Sequence, residues 1–239
     1  MRTVLAGLAV FLFAIVAAAV VIGYSEQTAL RPLAAFYVGR GPQELGLPNV
    51  VTGILITYRG FDTLGEVAVL FMVAAGVGIL LTKAPGEAAG DETADEATAS
   101  AAQPPLQPAG EIVRTGMEVL LPLIFLFGAY VILHGHLSAG GGFQGGAIVA
   151  SGTMLLLVTR PQTRLKQKLL SLIESSAGVF YVLTGILGLL VADGFLDNRI
   201  LPLGTFGAVM SAGAIPLISA LLGIKVGAEL SVILDRFHL

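Results

Sequence analysis

Six stretches of this chain are long and apolar enough to cross a bilayer, and nothing else in the sequence restricts its fold as strongly. In hydrocarbon every backbone N–H and C=O must find a partner within the protein, so each crossing segment is a helix. One span needs about 20 apolar residues at about 1.5 Å rise per residue. Residues 4–22 form the first run, preceded by Arg2. It reads as a retained anchor, since the apolar part of a cleaved signal peptide is usually only about 7–15 residues. Residues 24–48 read as a polar loop with balanced charge: Glu26, Arg31, Arg40 and Glu44. Residues 49–82 are too long for one span, because their helix would reach about 51 Å against a hydrocarbon core of about 30 Å. The interruption RGFDTLGE (residues 59–66) divides them into a short interfacial or re-entrant helix to Tyr58, a break near Gly60, and a span over 62–82. Four more spans are expected at 116–134, 142–158, 170–191 and 206–224, the last continuing toward Leu234.

Between the second and third spans lies an Ala-, Pro- and acid-rich segment, residues 84–110. It has too little apolar surface to fold and reads as a flexible linker. The expected protein is therefore all-α: a polytopic integral membrane protein with about six transmembrane helices in two bundles joined by a disordered acidic linker. Its parts are a two-helix part at 1–83, the linker at 84–110 and a four-helix domain at 111–239. Only 12% of residues are charged, against about 25% in a soluble domain. The net charge of -3 comes from the linker, because Glu87, Asp91, Glu92, Asp95 and Glu96 account for five of the 16 acids against 13 basic residues. No cysteine is present, which excludes disulfides and thiolate metal or iron–sulfur ligation within the chain. The basic loop with Arg160, Arg164, Lys166 and Lys168 is cytoplasmic by the positive-inside rule. Six spans then put both termini in the cytoplasm of a cell with an inner membrane, and the GGGFQGG turn outside.

An ionisable residue inside a span is a functional candidate by default. Asp62 and Glu66 stand four apart on one helical face, with Arg59 three before Asp62. Two neighbouring carboxylates in a low dielectric resist ionising together, and this lets one of them carry a proton. Glu66, the deeper of the two, is the stronger candidate, whereas Asp62 reads more readily as an N-terminal cap. Lys225 and Glu229 form a second i, i+4 pair, either a relay inside the membrane or a pair at its wet edge. Glu118 and Glu174 each sit near the start of a span and either join a polar pathway or pair locally. His134 and His136, two apart, do not share a helical face. They suit a proton-accessible role at the outer surface or satisfy backbone groups at the glycine turn, and make a weak metal site. Gly142, Gly145, Gly146 and Ala150 supply small residues for close helix packing. Pro122 and Pro216, placed within spans, should kink their helices. Gly140, Gly142 and Gly145 match GxGxxG only formally, because apolar spans flank them and no acid follows about 20 positions on.

Two motifs carry a resemblance. LHGHLSAGGGFQGGAI (residues 133–148) and LLGIKVGAEL (residues 221–230) resemble MnhB-type subunits of Mrp-type cation/proton antiporters. NVVTGILITYRGFDTLGEVAVL (residues 49–70) resembles the MbhE-type subunit of membrane-bound hydrogenases, equivalent to the C-terminal end of the large antiporter subunit. The resemblance implies a non-catalytic accessory subunit of a complex that couples proton and sodium movement, without a cofactor of its own. Its implied partners are other Mrp- or Mbh-type membrane subunits and the lipid bilayer, with Na+ and H+ as the ions and no nucleic acid. It also implies that the MbhE-like part sits beside the ion path. The fusion of these two parts leans toward a redox-linked complex, and Ile56-Thr57-Tyr58 stands where an acidic Val-Asp-Phe-like sequence is expected. A structural scaffold that holds antiporter-like subunits together is the alternative reading.

Overall fold

The computed structural model describes residues 2–24, 29–81 and 110–238; the expected linker falls outside these residues except for Gly110. Of the described residues 78% are helical and none lies in a strand. Six of the helices are long and apolar enough to span a membrane. The chain divides into two compact units, residues 1–36 and 37–239. Helix α1 (Arg2–Gly23) belongs to the first. It is apolar on every side, the composition of a helix surrounded by lipid or by other membrane helices.

Residues 24–48 do not form the expected continuous loop, because Pro32–Leu45 is a helix, α2. Gly39, Gly41 and Pro42 disguise it in the sequence. Pro32 is preset for a first helical position, and Gly46 ends the helix at φ +71, the left-handed geometry of a glycine C-cap. Leu45 and Leu47 behind it are buried in the core.

Helix α3 (Val50–Gly53) runs directly into a π-helical turn at Ile54–Tyr58, and α4 spans Gly60–Leu81. Arg59, at φ -122 and ψ 36, makes the break between them. Helices α5 (Glu111–Leu133), α6 (Gly142–Thr159), α7 (Gln167–Val191) and α8 (Ile215–His238) complete the second unit. Helix α8 is the hub and packs against α4, α5, α6 and α7. Of its span 61% is buried, against 6% for α4.

The last span begins at Ile215 rather than at residue 206. Phe206, Val209 and Met210 are apolar enough to extend a span, but Gly204, Gly207, Ala212 and Gly213 have φ between +60 and +79. That backbone cannot propagate a right-handed helix. The loop is pinned from inside by the buried Asn198, whose Nδ2 donates to the Leu45 carbonyl at 2.9 Å and to the Ala212 carbonyl at 3.2 Å. Pro216 consequently falls in the first turn of α8, where the missing N–H removes no intrahelical bond, and the expected kink there has no cause.

Close packing at the hub is set by glycines. A Cβ built on Gly146 of α6 would stand 2.9 Å from the Gly223 carbonyl and 3.0 Å from the Gly227 nitrogen, both on α8. Gly142 meets the same helix one turn earlier, at the Ser219 carbonyl, whereas Gly145 faces Gly128 and Ile132 of α5. Ala150 is buried on the same helix.

Candidate functional site

Because α8 is enclosed on several sides, polar residues in its middle are carried into the interior. Lys225 and Glu229 lie one turn apart there, with side chains 5% and 0% exposed. The Lys225 Nζ donates to Glu229 Oε2 at 2.6 Å. Glu174 joins them from α7, its Oε1 3.6 Å from the same Nζ and its side chain 9% exposed. One ammonium thus faces two carboxylates, and Glu229 Oε1 has no hydrogen-bond partner among the described residues. With all three ionised the cluster holds a net negative charge inside the membrane body. Such a charge is stabilised by taking up a proton or a cation.

A cavity of about 600 Å³ between α4 and α7 reaches this cluster, with Glu174 and Lys225 in its wall among apolar residues such as Val67, Phe71 and Val182. A second cavity, of about 900 Å³, lies on the other side of the α4–α8 contact. Its polar wall comprises Thr52, Thr63, Glu66, Gln144 and the backbone at Gly140 and Gly141, and Leu222 and Val226 of α8 close it. The π-helical turn borders this cavity through Leu55 and Ile56. π-Turns unwind the normal hydrogen-bond ladder and recur at functional sites. Here the Arg59 N–H donates to the Ile54 carbonyl at 2.8 Å, and the Thr63 hydroxyl donates to the Leu55 carbonyl at 2.5 Å.

The segment is held by Asn49, whose Nδ2 donates to the Gly135 and Ser138 carbonyls at 2.7 Å each. The Thr52 hydroxyl donates to the Gly135 carbonyl as well, at 2.7 Å. The two sequence motifs therefore meet at one place. Nearby, the Tyr58 hydroxyl donates to Glu44 at 2.9 Å. Burial and the negative Glu44 push that phenol up to about 12.

The remaining candidates lie apart. Asp62 pairs with Arg59 at the start of α4 and is half-exposed, so it does not combine with Glu66. Glu118 pairs with Arg160 at 2.5 Å and Arg114 at 3.6 Å on an exposed face. His134 stacks on Tyr130 with ring centroids 4.5 Å apart. His136 is 1% exposed, and burial pushes its imidazole below the ordinary histidine range, outweighing the Ala208 and Val209 backbone that favours the protonated ring. The sequence reading missed Tyr181, buried on α7, and the polar pairs Thr153–Ser231 at 3.0 Å and Gln167–Asp235 at 2.6 Å that tie α8 to α6 and α7. Serines, threonines and a tyrosine inside apolar runs are a faint signal, visible once their helices are known to face one another.

These features define an all-helical, multi-pass membrane protein. The chain belongs to the family of domains related to the MnhB subunit of Na+/H+ antiporters, which matches residues 112–232, and residues 2–92 match the MbhE family of MBH subunits. By family it is a component of the Mrp/Mbh type of antiporter-like membrane complexes. An uncharacterized protein of Methanocaldococcus jannaschii is 29% identical over 84% of this chain and 83% of its own length. A probable K(+)/H(+) antiporter A/B subunit of Rhizobium meliloti is 32% identical over 56% of this chain, which is 15% of that protein. Among solved structures, a chain of the membrane-bound sulfane sulfur reductase, an archaeal respiratory membrane complex, superposes with a TM-score of 0.78 at 33% identity, over 99% of this chain and 97% of its own. A chain of the Mrp complex from Dietzia sp. shares the fold, with a TM-score of 0.73 at 22% identity, over 98% of this chain and 26% of that one.

Proposed function

We propose that this chain is a non-catalytic subunit that lines part of the proton or sodium route in a multi-subunit membrane complex, with other Mrp- or Mbh-type membrane subunits as its partners. The observation that carries this reading is the buried cluster of Lys225, Glu229 and Glu174. Burying two carboxylates and an ammonium in a membrane body is costly, and ionisable groups held there mark ion routes. Glu66, in the wall of the larger cavity, gives the route a second carboxylate. The near full-length likeness to a chain of an archaeal respiratory complex supports a redox-linked machine over a stand-alone antiporter. The basic loop at 160–168 favours cytoplasmic termini. The glycines of α6 do not favour the scaffold alternative, because Gly142, Gly145 and Gly146 face helices of this same chain.

The test is Glu66→Gln and, separately, Glu229→Gln in the native complex, with ion transport followed by pH-dye and sodium-dye responses in inverted vesicles. Glu66→Gln should assemble normally, Glu229→Gln should assemble with reduced stability while Glu174 keeps Lys225 paired, and each should lose at least about ten-fold of its transport, which corresponds to about 1.4 kcal/mol in the transport barrier. Normal transport in both would leave the scaffold reading in place. Nickel or iron–sulfur proteins in a mild-detergent purification would identify the redox-linked form.

A further inference from the structure

Arg164, Lys166 and Lys168 are exposed and form no ion pair among the described residues. They line one pocket of about 650 Å³ together with Leu165, Gln167 and Asp235. The carboxylate in that wall is already engaged, since Gln167 Nε2 donates to Asp235 Oδ2 at 2.6 Å. Three cations thus face one acid, at the N-terminus of the 25-residue helix α7, an end that itself favours anions. The spans of α6 and α7 stop at Thr159 and start at Gln167, so the pocket lies at the level of the lipid headgroups. Leu165 also lines a narrow cleft of about 340 Å³. On α8 the pocket is bordered by Asp235, and the cleft by Ser231 one turn deeper and then by Ala228 and Ile224. From Asp235 to Ile224 is about 16 Å along the helix axis, close to half of a hydrocarbon core of about 30 Å. The hydroxyls in the cleft, Thr153 and Ser231, bond to each other at 3.0 Å, which leaves a lining of apolar side chains such as Phe125, Val149 and Leu170. Ile224 is 47% exposed although Gly223 and Lys225 beside it are buried, so the described residues leave α8 uncovered at this point.

We propose that pocket and cleft together bind one anionic phospholipid, its phosphate held among Arg164, Lys166 and Lys168 and one acyl chain laid along α8 from Ser231 to Ile224. Charge complementarity selects the headgroup. Arginine and lysine bind phosphate oxygens through charge-assisted hydrogen bonds, and basic pockets between membrane helices attract anionic lipids. A zwitterionic choline headgroup would bring a fourth cation against these three. The cleft selects the rest of the ligand, because an apolar wall about one leaflet deep gives a soluble phosphate ester nothing to bind. Its volume also favours a hydrocarbon chain over a partner helix, since a helix about 10 Å across and about 16 Å long occupies more than about 1,000 Å³. Bound there, the lipid ties the start of α7 to the end of α8, the two helices that carry Glu174, Lys225 and Glu229.

The test places the photo-crosslinker p-benzoylphenylalanine at Leu169, an exposed residue of the pocket wall, and, as a control, at the exposed Leu190 near the other end of α7. The native complex is reconstituted in vesicles of equal phosphatidylglycerol and phosphatidylcholine with matched chains, and the adducts on this chain are weighed by mass spectrometry. Position 169 should favour phosphatidylglycerol at least about five-fold, the effect of a single basic side chain beside an anionic lipid, and position 190 should show no preference. Lys166→Gln combined with Lys168→Gln, which leaves Arg160 and Arg164 to hold the topology, should bring position 169 close to an even ratio. Should that variant fail to assemble, about 1 M salt should do the same to the unmodified complex by screening exposed charges. Free glycerol phosphate in excess should leave the adducts unchanged. An even ratio at position 169, or the same preference at position 190, would overturn the site. Loss of the lipid adduct to glycerol phosphate would assign the pocket to a soluble phosphate ester instead, and an adduct with another subunit would make it a protein contact; either result overturns the lipid.

Discussion

At the scale of single residues, Lys225 is the group on which the interior of α8 depends. It sits between Glu229 and Glu174, and neither carboxylate can turn to bulk water. Removing one partner of a buried ion pair costs about 3–5 kcal/mol, because the other is left as an uncompensated charge. Lys225→Met should therefore lower the melting temperature of the purified protein markedly. Adding Glu229→Gln to it should recover at least half of the loss, and a further loss in the double variant would contradict the pairing. His136 gives a second residue-level expectation, in pH. Its imidazole is held below the ordinary value by burial, so the folded state favours the neutral ring. The unfolded chain binds the proton first as pH falls through about 6.5. Stability is thus at its full value above that pH and declines below it, toward the folded-state value. Thermal melts from about pH 7.5 down to about 5.5, bracketing that value, should show this decline, and His136→Gln should flatten it.

At the scale of helices, α6 shows how spacing becomes packing. Gly142 and Gly146 are four apart on the face toward α8, and the contact distances at Gly146 leave no room for a methyl group. Gly146→Val should destabilise the protein by about 1–3 kcal/mol, the usual cost of overpacking. Gly116→Ala, with nothing within 4 Å of a new Cβ, should leave the melting temperature unchanged or raised. How much of these elements the sequence discloses depends on which physical signal made them. The apolar runs gave away the spans, and Arg59–Gly60 gave away the break before α4, because bilayer thickness and helix rise impose both. Helix α2 was hidden by Gly39, Gly41 and Pro42, since its order comes from Leu45 and Leu47 entering the core rather than from propensity. The start of α8 was obscured by Phe206, Val209 and Met210, which suit a span in hydropathy while the positive-φ residues among them forbid it. The i, i+4 spacing revealed the Lys225–Glu229 pair, but its depth and its meeting with Glu174 depend on the helices that surround α8. The same dependence hid Tyr181, which the surrounding helices bury on α7.

For the molecule as a whole, the question with the most consequence is which end of the route faces which compartment. The turn between α5 and α6 and the basic loop between α6 and α7 lie at opposite ends of α6 (Gly142–Thr159), so the two cannot share a side of the membrane. Arg164, Lys166 and Lys168 gather at the second of these loops. An excess of basic residues favours the cytoplasmic face, so the proposed orientation has the His134–Gly141 turn, and with it the Asn49 clamp, on the outer side. The larger cavity is bordered by Gly140 and Gly141 of that turn, so in this orientation it is the outward-facing entrance. The absence of native cysteine makes the orientation directly measurable. Ala139→Cys and Gln162→Cys place a single thiol at exposed positions of the two loops without removing a charge. In intact cells a membrane-impermeant maleimide should label position 139 and spare position 162, which should react only after the membrane is opened. The reverse pattern would invert the topology and turn the larger cavity toward the cytoplasm.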